Sequence, residues 1–96
     1  MTSGQLYLIL FENKLPLTFD VIQRHVAHLK ALDEEGRLVA CGPFTDYPGG
    51  MVLIKAALVG EAHKIAQEDP FVKEGYKGYS IRTVDWANKD NNYGLE

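Results

Sequence analysis

The sequence predicts an α+β domain, on three observations. Four short stretches rich in strand formers are interleaved with two helical stretches in the order β-α-β-β-α-β. Both alternating sets of strand positions are apolar, so the sheet has two faces to cover. The chain has 96 residues, enough for one core and one domain.

The first strand, β1, is read in QLYLILFE (5–12), bounded by Gly4 and by NKLP and too short for a buried helix. Helix α1 follows. Thr18 or Asp20 can cap its start, and Gly36 marks its end with Arg37 beyond. RLVACGPF (37–44) is β2, stopped by Gly42-Pro43, and TDYPGG (45–50) has turn composition. MVLIKAAL (51–58) is β3 and VGEAHKIAQED (59–69) is α2. PFVKEG (70–75) is a turn or a helical fragment, and YKGYSIRTV (76–84) alternates as β4. Residues 1–86 make the domain. The remaining 87–96 belong to a polar, Asn-rich end, expected to be mobile or to pack on a partner.

This order is the split βαβ pattern of ferredoxin-like domains, with a four-stranded antiparallel sheet and two helices on one face. In β1, Leu6, Leu8 and Leu10 oppose Tyr7, Ile9 and Phe11; in β3, Met51 and Leu53 oppose Val52 and Ile54. A large bare apolar face is a liability in a monomer, so a homodimer through the sheet face is expected. The rival cover is the C-terminal tail with Trp86.

Composition narrows the function classes. A net charge of -3, with ten scattered basic residues, argues against nucleic-acid binding. A hydrophobic content of 46% with 24% charged residues fits a soluble globular protein. The single cysteine, Cys41, excludes an internal disulfide and a cysteine-based zinc site, so a reducing, cytoplasmic setting is expected. Such a cysteine is usually a small buried residue rather than a nucleophile. No membrane partner is expected, because no run of about 18 apolar residues is present. The first ten residues lack the basic region of a signal peptide.

Two of the three histidines, His25 and His28, lie on α1. At roughly 100° per residue, Phe19, Ile22, Val26, Leu29 and Leu32 form one apolar stripe, with His25 inside it and His28 at its edge. The ordinary role of such a histidine is a core residue with one hydrogen bond. A catalytic role needs a partner, and EDPF offers Asp69 after the second helix. Asp before Pro is also a good helix start, and the ordinary reading of Asp69 is a cap alone. In a split βαβ fold both helices share a face, which lets the two residues approach.

HVAHLKALDEEGRLVACGP together with EDPF resembles the YciI-like (YCII-related) family. His25, Gly36, Gly42-Pro43 and Asp69-Pro70-Phe71 fall in the family's order over residues 5–84. The spacing to Gly36 selects His25 over His28. The sequence departs from many relatives in that Arg24 abuts His25 without a nearby Arg-Pro pair, and the 45–50 loop is short.

The resemblance implies a dimeric α+β barrel of ferredoxin-like subunits and an active site containing His25 and Asp69. Gly42, Pro43 and Phe71 of the same motifs are expected around the substrate. Tyr76 and Arg82 on β4 are added as possible cleft residues, although such a Tyr more often packs and such an Arg is more often a solvated edge charge.

Histidine exchanges a proton near neutrality, and a carboxylate on one ring nitrogen orients it while the other nitrogen faces substrate. This suits elimination or isomerisation of an activated small molecule, with no cofactor and no metal. His25, His28 and Asp69 form too loose a pattern for a metal site. Gly49-Gly50 lacks the features of a phosphate loop. A branch of the family is a dehydrochlorinase of a chlorinated hydroxyhydroquinone in aromatic degradation, so a lyase of that type is the leading expectation. An isomerase of a related ring compound and a non-catalytic ligand-binding module are the alternatives.

Overall fold

The computed structural model describes residues 5–95. Its elements are β1 (Gln5–Asn13), α1 (Phe19–Glu34), β2 (Leu38–Pro43), β3 (Gly50–Ala56), α2 (Val59–Glu68), a one-turn α3 (Pro70–Lys73) and β4 (Lys77–Val84), followed by a 3-10 segment (Lys89–Gly94). The sheet order is β2-β3-β1-β4, and every neighbouring pair is antiparallel. This is the ferredoxin-like arrangement, with β1 central.

Local chemistry explains the boundaries. Thr18 is the extended N-cap of α1, and its hydroxyl accepts the Val21 N–H at 3.1 Å. The helix ends in a Schellman motif. Gly36 takes a left-handed φ of +75°, its N–H bonds the Asp33 carbonyl at 3.0 Å, and the Arg37 N–H bonds the Leu32 carbonyl at 2.9 Å. Gly49 has φ +114°, and a Cβ there would lie 2.3 Å from the Phe11 carbonyl oxygen. That residue must be glycine for the β2–β3 turn to close against β1.

The core lies between the helices and one sheet face. Tyr7, Ile9 and Phe11 of β1 and Val52, Ile54 and Ala56 of β3 pack against Leu32, Ala62, Ile65 and Ala66, with Tyr79 and Ile81 joining from β4. Ile9 and Ile54 are almost completely buried, so truncating either to Ala would cost about 2–5 kcal/mol. On the other face Leu6, Leu8, Leu10 and Met51 are half-buried.

Three expectations need correction. The 3-10 segment packs on no helix or strand of the described chain. Trp86 is 47% exposed and lines a cavity of about 1410 Å³ with Leu6, Val84, Asp90 and Asn91, which does not extend to Leu8 or Leu10, so the tail leaves those two uncovered. Cys41 is exposed, because β2 is an edge strand with little packed against it. The buried arc of α1 runs through Val21, His25, Leu29 and Leu32, while Phe19, Ile22 and Val26 are exposed. The helix is rotated because it packs against α3 as well as the sheet, which turns His25 rather than Ile22 inward.

Candidate active site

The site is assembled where α1 meets the junction of α2 and α3. Asp69 has extended backbone between the two helices and is 2% exposed. Its Oδ1 accepts the Phe71 N–H at 2.9 Å, and Pro70 at the first helical position has no N–H to satisfy. Both carboxylate oxygens also lie 2.9 Å from His25 Nδ1. The two readings of Asp69, helix cap and histidine partner, are therefore both realised by one side chain.

The imidazole is held on its faces as well as its edge. Phe71 stacks on it with centroids 3.8 Å apart and planes 11° from parallel. Phe11 presents an edge contact to His25 at 6.2 Å and to Phe71 at 6.3 Å. The His25 side chain is 13% exposed. With the carboxylate accepting, Nδ1 carries a proton and Nε2 of the neutral ring is a free acceptor. No hydrogen-bond partner for Nε2 exists within the described chain, yet no buried side-chain nitrogen or oxygen there lacks one. Nε2 therefore reaches solvent.

Arg24, the neighbour of His25, clamps the assembly from outside. Its guanidinium bonds both oxygens of Glu74, just past α3, and reaches Asp20 at 3.0 Å. The guanidinium holds the Glu74 carboxyl below the usual carboxylate range. These groups are well exposed, so the clamp supplies geometry rather than much stability.

Sequence reasoning missed Lys77, Asn13 and Phe11. The β1–β4 register sets Lys77 opposite Asn13, and Lys77 Nζ donates to Asn13 Oδ1 at 2.8 Å while lying 5.2 Å from the centre of the Phe71 ring. Burial pushes this ammonium below the ordinary lysine range, against the opposing pull of Asp69. Only strand register brings these residues beside EDPF, and no short-range pattern signals it.

The other expected residues are more scattered. Phe71 is at the site. Tyr76 is half-buried, and its carbonyl accepts from Lys14 and Leu15 at 3.0 and 3.1 Å, pinning the exit of β1. Gly42 and Pro43 pair with Met51 and Gly50 at the β2–β3 hairpin, next to a cavity of about 450 Å³ lined by Leu10, Phe11, Phe44, Tyr47 and Pro48. Arg82 is paired with Leu8 on the face away from the helices, so the structure does not bring it to His25 within one chain. His28 is half-buried outside the pair. His63 Nδ1 lies 2.8 Å from the Tyr79 hydroxyl, a separate tie between α2 and β4. Among the described residues no group of three or more His, Cys, Asp or Glu is arranged for a metal ion.

Fold and site together define a ferredoxin-like domain with a buried carboxylate–histidine pair. Residues 6–86 match the YCII-related domain, and the chain belongs to that family. It is 32% identical over 83 residues to the uncharacterized protein YjpA of Bacillus subtilis (strain 168), covering 86% of this chain and 95% of that protein. Among solved structures it resembles 5-chloro-2-hydroxyhydroquinone dehydrochlorinase (TftG) from Burkholderia phenoliruptrix AC1100, in complex with 2,5-dihydroxybenzoquinone. That likeness has a TM-score of 0.63 and 24% identity, over 91% of this chain and 99% of that one, and speaks to the fold. Among the described residues no helix is long and apolar enough to cross a membrane.

Proposed function

We propose that the protein is a small-molecule lyase in which His25 is the general acid/base and Asp69 its orienting partner. One observation carries this reading: Nδ1 is bonded to a buried carboxylate, while Nε2 has no hydrogen-bond partner among the described residues in a side chain that stays 13% exposed. The reaction we favour is elimination of HCl from a chlorinated hydroxyhydroquinone. A hydroxyl proton is first passed by way of Nε2 to the chlorine-bearing ring carbon, giving the keto tautomer; Nε2 then takes the proton of a second hydroxyl, the C–Cl bond breaks, and chloride departs with the bonding pair, leaving a hydroxyquinone. Asp69 stabilises the imidazolium formed meanwhile. The fold-level neighbour that acts on such a compound supports the choice of substrate class.

The active form we propose is a homodimer joined through the Leu6–Leu8–Leu10 face. Neither the cavity of about 1410 Å³ nor that of about 450 Å³ found among the described residues is lined by His25, which fits a cleft completed by assembly.

The test is chloride release from a chlorinated hydroxyhydroquinone, read against the spontaneous rate. Wild type should exceed background, and His25→Ala should lose about 10²–10⁴-fold of that excess. Absence of release by wild type would rule out this substrate. Equal release by the variant would remove His25 from the chemistry.

A further inference from the structure

Lys77 is a cation without a counter-ion. Among the described residues no carboxylate lies within ion-pair distance of its Nζ. Its one hydrogen bond goes to a neutral amide oxygen, Asn13 Oδ1. The nearby carboxylate, Asp69, is already committed to His25 and to the Phe71 N–H. The ammonium is also partly withdrawn from water, and that burial makes its charge costly. A desolvated, unpaired ammonium gains most from an anion brought in from outside.

Its position relative to the imidazole gives the charge a use. His25 stacks on Phe71, nearly parallel at 3.8 Å, Phe11 meets the same ring edge-on at 6.3 Å, and the ammonium lies 5.2 Å from its centre. A ligand bound at His25 is thereby brought near the one ammonium that shares its contact with the Phe71 ring.

We infer that Lys77, held by Asn13 and Phe71, is an anion subsite that binds an ionised oxygen of the substrate and so selects phenolate-like or enolate-like ligands over neutral ones. This rests on His25 as the reacting group, which fixes where the ligand lies. It requires no turnover to examine.

The test compares two ligands of one shape. 2,5-Dihydroxybenzoquinone is a vinylogous acid ionised at neutral pH, and its dimethyl ether is neutral. Affinities for each are measured by calorimetry for wild type, Lys77→Met and Lys77→Arg, with thermal unfolding as the check on folding. Wild type should bind the ionised ligand about tenfold or more tightly than the ether. Lys77→Met should abolish that preference and Lys77→Arg should retain it. The assignment is overturned if wild type binds neither ligand or shows no preference, if Lys77→Met keeps the preference, or if Lys77→Arg loses it as fully as Lys77→Met does. Failure here leaves chloride release by wild type and His25→Ala unaffected, so the two readings fall separately.

Discussion

At the residue scale, Asp69 carries two duties that substitution can separate. Asparagine keeps an oxygen for the Phe71 N–H but loses the charge that stabilises an imidazolium. Alanine loses both and leaves a buried N–H without its acceptor. Asp69→Ala should therefore cost about 1–2 kcal/mol through the lost cap alone, whereas Asp69→Asn should unfold near the wild-type temperature and lose most of the chloride-release rate. Thermal unfolding and turnover measured on both variants decide this. Full turnover in Asp69→Asn would reduce the residue to a cap. The pairing was half legible in the sequence. Spacing to Gly36 singled out His25, and Asp before Pro marked a helix start, but neither could say that the same carboxylate reaches across 44 positions to an imidazole.

At the element scale, the β2–β3 turn is where a single atom matters. Gly49→Ala would drive a methyl group into the Phe11 carbonyl at a positive φ, and Phe11 also contacts His25. We expect a loss of roughly 1–3 kcal/mol, together with a shift in the His25 ring resonances. Gly42→Ala is the control, because a Cβ there meets nothing within 4 Å; its unfolding temperature should stay near wild type. The same scale explains the misjudged face of α1. Periodicity gave the right helix and placed His25 on its inner side, yet Phe19, Ile22 and Val26 are exposed. A stripe broader than one contact surface does not reveal which part is buried. Packing against α3, a four-residue helix that only EDPF hinted at, settled the rotation.

At the scale of the whole molecule, the sheet face opposite the helices sets the assembly prediction. Leu8 lies on that face, half-buried, between Leu53 and Arg82. Leu8→Glu leaves the Tyr7–Ile9–Phe11 core untouched but would place a charge between two packed sheets. Sedimentation should show wild type at twice the chain mass and Leu8→Glu at the chain mass, with unchanged far-ultraviolet circular dichroism. A monomeric wild type would refute the sheet-face dimer.

The order of elements, the two apolar faces of the sheet, the glycine stop of α1 and the residue types able to move a proton are all legible in the sequence. These follow from local periodicity and from neighbours a few positions apart. The tertiary structure alone decided that His25 Nδ1 meets Asp69, that Phe71 and Phe11 fix the ring, that Lys77 stands beside them and that Arg82 does not. Those facts depend on strand register and helix rotation. Both are set by the packing of the whole core, and one residue of slip in a strand turns a side chain to the opposite face.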